Sequence, residues 1–173
     1  MTQANATIED CLNYSGGDLY ALFADVYASS ETMSETLGEK YPDSVHLTDD
    51  LRALVRLPGA LALAAEIDHK PMAYALLRPR KQARLRHTAD LSMGVAQAAR
   101  GKGLGDLVLN AVLDRSRQAG IIEIVYLMVR ADNMSAVRLY ERSGFDSLAS
   151  LAGDTKIGEQ YFDGILMRKC VRS

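Results

Sequence analysis

The stretch "RGKGLG", Arg100 to Gly105, sets three glycines beside an arginine, a lysine and a leucine. It runs into "LGDLVLNAVLDRSRQAG" (104–120), where Leu104, Leu107, Val108, Ala111 and Val112 recur on one helical face and Gly120 supplies a C-terminal stop. A glycine loop feeding a helix N-terminus leaves backbone N–H groups unpaired and aimed outward, and the helix dipole adds to their attraction for phosphate. Two common phosphate loops do not fit. A P-loop needs Ser or Thr directly after its lysine to reach magnesium, but Lys102 is followed by Gly103. A dinucleotide loop needs G-x-G-x-x-G within a βαβ unit, whereas this loop reads G-x-G-x-G and follows antiparallel-looking strands. Taken alone, it reads either as a pyrophosphate cradle or as a plain turn into a helix.

Upstream, the apolar runs "ALALAAEI" (60–67) and "PMAYALLR" (71–78) flank a short polar turn and predict a hairpin. A third run, "HTADLSMGV" (87–95), leads into the loop. Between these runs lies "RPRKQARLRH" (78–87), with five Arg/Lys in ten residues, read as a solvated hairpin tip. The N-terminal third reads as mostly helical. Leu19, Leu22, Phe23, Val26 and Tyr27 share a face behind an Asp18 N-cap, "ETMSETLGEKY" predicts a weaker helix ending at Tyr41-Pro42, and Thr48 starts another that runs to Pro58. Downstream, "IIEIVYLMVR" (121–130) is a buried strand, "NMSAVRLYERSGF" a short helix capped by Asn133 with Gly144 past its end, and "YFDGILMRK" a last strand reached through the turn-rich "AGDTKIGEQ". The fold class is mixed α/β, or α+β, with a mostly antiparallel sheet flanked by helices.

The chain has 173 residues, 48% hydrophobic and 24% charged, which fits one domain over 1–173. A net charge of −2 gives no reason to expect a nucleic-acid partner. Cys11 and Cys170 lie far apart and three histidines are scattered, so no metal site is expected. The start "MTQANATIED" has no basic region followed by an apolar core, and no apolar run is long enough for a membrane span, so a cytoplasmic protein is expected.

The run "LMVRADNMSAVRLYERSGF" has the form L-x-V-x-x-x-N-x-x-A-x-x-L-Y-x-x-x-G-F. With "VAQAARGKGLG" about thirty residues upstream, it resembles the GNAT superfamily of acyl-CoA-dependent N-acetyltransferases, whose R-x-x-G-x-G signature matches Arg100, Gly103 and Gly105. The phosphinothricin-type and small amino-acid acetyltransferases are the most similar members, and the motifs cover 60–169 most clearly. The resemblance implies a central sheet in which one strand splays from its neighbour, with acyl-CoA entering the gap. It also implies acetyl-CoA as cofactor and coenzyme A as product. Met93, Gly94 and Val95 would then meet the pantetheine arm through their backbone, and Arg100, Gly101, Lys102, Gly103, Leu104 and Gly105 would hold the pyrophosphate. Tyr140 would be the acid that meets the departing thiolate, and Asn133 a cofactor contact that also caps its helix.

An alkylamine nucleophile with a pKa near ~10 must lose a proton before it can attack. The glutamate that some protein-acetylating members carry in "L-E-V-R" is replaced here by Met128. Other members carry an acid in E-x-S-x-Y-V, and "DLSMGV" puts Asp90 at that position, with Gly94 in place of the tyrosine. Asp90 acting through water is therefore the expected base. His87 falls on the opposite face by strand alternation, and Glu66 and Glu123 are more distant choices. The expected acceptor is a primary amine on a small molecule, in a pocket closed by bulky groups such as Tyr27, Tyr41, Tyr161 and Phe162. A protein N-terminus or lysine, or a non-catalytic acyl-CoA sensor, are the competing readings. The apolar tail strand and hairpin would support a homodimer.

Overall fold

The computed structural model describes residues 6–172, so positions 1–5 and 173 of the expected 1–173 domain, including the first half of "MTQANATIED", lie outside the described residues. Its strands are β1 Ala6–Asp10, β2 Leu61–Ile67, β3 Lys70–Pro79, β4 Thr88–Val95, β5 Ile124–Arg130, β6 Asp146–Ile157 and β7 Gln160–Cys170. They form a seven-stranded sheet in the order β1-β2-β3-β4-β5-β7-β6. Among the described residues, β4 with β5 is the parallel pair and the other neighbours are antiparallel. The α-helices are α1 Gly16–Ala28, α2 Leu37–Lys40, α3 Ser44–Leu54, α4 Leu104–Ala119 and α5 Met134–Arg142.

The β2–β3 hairpin closes through Asp68 and His69 at φ 50° and 61°. Two consecutive left-handed residues give the turn twist that matches a pair of right-twisted strands. Both strands are buried along most of their length because α4 packs against β2 and β3 on one face while α1 and α3 cover the other. Leu19, Leu22, Phe23 and Val26 are the buried side of α1, and Leu104, Val108, Leu109, Val112 and Leu113 that of α4. Gly120 ends α4 at φ 65° as expected. The basic segment between β3 and β4 is exposed from Lys81 to Arg86.

Several expectations need correction. The N-terminal third also contributes β1, which five residues of weak alternation do not announce. Helix α1 starts at Gly16 with Ser15 as its cap, because the Ser15 hydroxyl accepts the Asp18 N–H at 3.1 Å; Asp18 lies in the first turn instead. Helix α3 starts at Ser44, four residues before Thr48, because the Asp43 carboxylate accepts the N–H groups of Val45 and His46. The second helix shrinks to Leu37–Lys40, held by a reciprocal Thr36–Glu39 capping box. "AGDTKI" is strand: β6 absorbs its glycine and aspartate through register shifts opposite β7, and only the tip at Gly158 turns.

The sheet is tightest at Gly94. A Cβ there would lie 2.5 Å from Val26 Cγ1 and 2.8 Å from Tyr74 Cε1. The Tyr74 ring is itself stacked on Phe23 at 3.9 Å, so it has no room to retreat. Gly94→Ala is predicted to destabilise the protein by about 1–3 kcal/mol through overpacking, read as a lower urea midpoint. An unchanged midpoint would mean that α1 does not press on β4.

Candidate active site

Strands β4 and β5 run side by side only briefly. Thr88, Ala89 and Asp90 pair with Ile124, Val125 and Tyr126, and the pairing stops there. Beyond it β4 stays paired with β3 as far as Val95, while β5 stays paired with β7 as far as Arg130. The two halves of the sheet therefore diverge from Asp90 onward. The Ala96 N–H donates to the Met72 carbonyl, so the even-numbered residues of β4 turn their backbone groups toward β3. Leu91, Met93 and Val95 turn theirs toward the gap. The three expected backbone contacts thus divide: Met93 and Val95 face the opening, whereas Gly94 pairs in register with Tyr74 and serves by having no side chain.

Directly after β4, a short 3-10 turn, Gln97–Ala99, leads into the glycine loop. Gly101 and Gly103 have φ of 74° and 81°, the left-handed region that favours glycine, and nothing lies within 4 Å of where their Cβ atoms would stand. The first turn of α4 follows, its leading amides without intrahelical acceptors. Gly105 faces Leu139, Val95 and Met93 at ordinary contact distance, which joins the α4 start to α5 and to the gap-facing residues of β4. Lys102 and Gly103 are exposed, and Leu104 is buried as the first core residue of α4.

The Arg100 side chain turns away from the loop: Nη1 donates to the Ser29 carbonyl at 2.9 Å, Nη2 to Ser29 Oγ at 2.7 Å and Nε to the Val95 carbonyl at 3.3 Å. Asn133 caps α5 as expected, its Oδ1 accepting the Ala136 N–H, while its Nδ2 donates to Thr32 Oγ1 at 3.0 Å. Tyr140 is buried in α5 with its ring edge-on to Phe145 at 5.7 Å. Burial alone pushes its hydroxyl up to about 12.

Asp90 sits at the point where the halves diverge, opposite Tyr126. Arg80 holds its carboxylate through Nε at 3.2 Å and Nη2 at 2.9 Å, and the same guanidinium lies over the Tyr126 ring. Glu66 is removed from the gap by β3 and β4; it accepts Tyr14 Oη at 2.5 Å and Thr7 Oγ1 at 2.9 Å, and the Tyr14 bond above all holds it below the usual carboxylate range. Glu123 pairs with Arg172.

A groove of about 720 Å³ lies between the end of α1, the segment that follows it, and the tip of the β6–β7 hairpin at Thr155–Gly158. Tyr27 lines it together with Glu31, Glu35 and Glu39. The other bulky candidates lie elsewhere. Tyr41 is buried against Phe23 and donates to Asp50, Phe162 lies under the Arg130 guanidinium at 3.7 Å, and Tyr161 projects from β7, 66% exposed. Sequence reading missed Arg130, which closes β5 and donates to Asp132 and to the Glu31 carbonyl. The only signal was an arginine two residues ahead of an aspartate at a strand end. Among the described residues no cluster of His, Cys, Asp or Glu could hold a metal ion, and no helix is long and apolar enough to cross a membrane.

A seven-stranded, mostly antiparallel sheet with a splayed parallel pair, followed by a glycine loop at a helix start, defines the acetyltransferase class of α/β fold. The sequence pattern of the acetyltransferase (GNAT) family matches residues 23–145, and the chain belongs to that family. Similar proteins include the L-amino acid N-acetyltransferase of Escherichia coli K12, 23% identical over 127 residues that make up 73% of this chain and 76% of the relative. A mycothiol acetyltransferase of Corynebacterium aurimucosum is 45% identical over 53 residues, 31% of this chain, and that match spans 17% of the relative's length. Among solved structures, a phosphinothricin acetyltransferase from Sinorhizobium meliloti in complex with acetyl-CoA superposes with a TM-score of 0.80 at 19% identity, covering 95% of this chain and 88% of the other. At that identity the likeness speaks for the fold.

The burial of Tyr140 has a testable pH signature. The folded state keeps a phenolic proton that the unfolded chain releases from pH 10, so its contribution is intact below 10 and is lost as pH rises toward about 12. Tyr140→Phe is predicted to make the alkaline loss of stability in this window shallower by at most ~1.4 kcal/mol per pH unit, measured by urea unfolding. Tyr14, Tyr41 and Tyr74, all raised chiefly by burial, retain the remainder of the slope. Identical slopes in the two proteins would mean that the hydroxyl is wet.

Proposed function

We propose that the chain is an acetyl-CoA-dependent N-acetyltransferase, carried by a single domain, that acts on a primary amine of a small molecule. The observation that carries this reading is the end of β4–β5 pairing at Asp90 and Tyr126, just ahead of the glycine loop. An extended, amide-bearing arm fits between the strands, where Met93 and Val95 turn backbone groups to the opening. A pyrophosphate fits the amides from Gly101 to Gly105, with Lys102 adding charge from solvent and Leu104 anchoring the helix start. Acetyl-CoA supplies the thioester that an amine attacks.

The chain's own groups handle the protons. Tyr140, held protonated by burial, has a hydroxyl proton to give to the departing sulfur. Asp90 takes the ammonium proton through water. Arg80 occupies two of the carboxylate's roughly four lone-pair sites, which leaves acceptor capacity for that water. Asn133 holds the start of α5 so that the Tyr140 ring keeps its orientation. A small acceptor is favoured by the groove, whose volume of about 720 Å³ falls in the range of ligand pockets, and whose glutamates Glu31, Glu35 and Glu39 outnumber the Lys156 beside them and the Lys40 paired with Glu35. The E. coli relative is named for L-amino acids, which are small amines. A cytoplasmic setting supplies acetyl-CoA, and the exposed β6 edge offers a surface for a homodimer.

The test is acetyl-CoA-dependent thiol release across amino acids, amino-acid analogues, polyamines, aminoglycosides and short peptides, with acetyl-CoA binding measured alongside. Turnover is expected on one class of small amine, and on it Tyr140→Phe should lower kcat by about 10²-fold or more while acetyl-CoA binding persists. Asp90→Asn should lower kcat by about tenfold or more while acetyl-CoA binding persists. Turnover on peptides alone would overturn the small-molecule reading, and an unchanged Tyr140→Phe enzyme the assignment of the acid.

A further inference from the structure

Four residues that follow α1 are held from both sides of the diverging strands. On the β4 side, Arg100 donates to the carbonyl and the hydroxyl of Ser29, and the Gln97 N–H donates to the Asp25 carboxylate at 2.7 Å. On the β5 side, Arg130 donates from Nη1 to the Glu31 carbonyl at 2.5 Å, and Asn133 donates to Thr32 Oγ1. The anchors come from three places remote in sequence: the loop after β4, the end of β5 and the cap of α5. The three side chains converge on Ser29–Thr32, and the Gln97 bond holds the last turn of α1 just ahead of it. The other guanidinium nitrogens that bond are used within the chain as well. Arg100 spends Nε on the Val95 carbonyl, while Arg130, 8% exposed, spends Nε and Nη2 on Asp132 and lies flat on Phe162. Ser30 and Glu31 line the 720 Å³ groove from this same segment.

We infer that Ser29–Thr32 is a strap across the mouth of the β4–β5 gap, that it fixes the wall of the acceptor groove, and that Arg100 and Arg130 are positioning residues acting through it. Arg100 opens the glycine signature, yet all three of its nitrogens bond to the chain itself. Its charge orders the strap, and the pyrophosphate is left to the loop amides and Lys102. The gap and the groove then share one wall, so an acceptor sits at a fixed distance from whatever fills the gap. The strap's existence is independent of the acetyltransferase reading; its effect on the acceptor rests on it.

The test uses the full chain and three variants, Arg100→Met, Arg130→Gln and Thr32→Val, with Thr32→Ser as the conservative control and thermal melts to verify folding. Hydrogen exchange is followed over 28–36 and coenzyme A is titrated calorimetrically. Amides of 29–33 should exchange about tenfold or more faster in each of the three variants, as expected when anchoring bonds to a half-buried segment are lost, and at the wild-type rate in Thr32→Ser. Coenzyme A affinity should stay within about fivefold of wild type, Arg100→Met included, because backbone donors carry the phosphate. With the best amine of the screen, Thr32→Val should raise the acceptor KM and spare the KM for acetyl-CoA. Unchanged exchange in Arg130→Gln and Thr32→Val would overturn the strap. A loss of about fiftyfold or more in coenzyme A affinity in Arg100→Met, with exchange unchanged, would make Arg100 a phosphate ligand instead. If wild type binds no coenzyme A, the proposed function falls, and the exchange rates still decide the strap.

Discussion

The molecule depends on two parallel strands that stop bonding to each other after three residues. A sheet interior normally satisfies every backbone donor and acceptor, and an unpaired group buried there is costly. β4 and β5 abandon each other at Asp90 and Tyr126, so each must be held in place by its other neighbour. The β3–β4 ladder continues to Val95 and the β5–β7 ladder to Arg130, which makes the two halves rigid while they part. On one face the split is braced by α1, whose Val26 reaches the Gly94 backbone; on the other, Gly105 brings α4 to Leu139 of α5 and to Met93 and Val95. The first brace requires its glycine, because a side chain at Gly94 would collide with Val26 and Tyr74.

Charge serves orientation in this site more than ligand capture. Arg80 fixes Asp90 at the point of divergence, and Arg100 and Arg130 fix the segment that crosses the opening. Arg142 ties α5 to Asp106 in the first turn of α4. Arg80, Arg100 and Arg130 each use more than one nitrogen of the planar guanidinium, a geometry that an ammonium cannot match. Lys102, by contrast, stands exposed at the loop. In the proposed reading, anion attraction falls to Lys102 and the amides of the α4 start.

Much of this was legible in the sequence, for identifiable reasons. The β2–β3 hairpin, α4 and α5 have strong periodicity together with unambiguous caps and stops, so their nature and limits could be read to within a residue or two. The family resemblance rested on Arg100, Gly103, Gly105, Asn133 and Tyr140, all of which lie on the elements expected of them. Local signals failed where tertiary contacts decide. β1 and β6 have no strong alternation because β6 is exposed along nearly all of its length, and its glycine and aspartate are tolerated at register shifts. The starts of α1 and α3 were misplaced because several Ser, Thr and Asp residues compete for each cap. The turn of Arg100 away from the glycine loop, and the contacts of Arg130 with Glu31, depend on a segment about seventy to a hundred positions away, which no spacing rule brings together.

Whether the gap between β4 and β5 and the loop beyond it receive one acyl-CoA molecule, as proposed, is tested most directly by following backbone amide resonances of the full chain as coenzyme A is added. Saturable shifts are expected at Met93 and Val95 and from Gly101 through Asp106, with weaker ones at Ser29–Thr32. Shifts confined to other surfaces, or none at millimolar ligand, would contradict it.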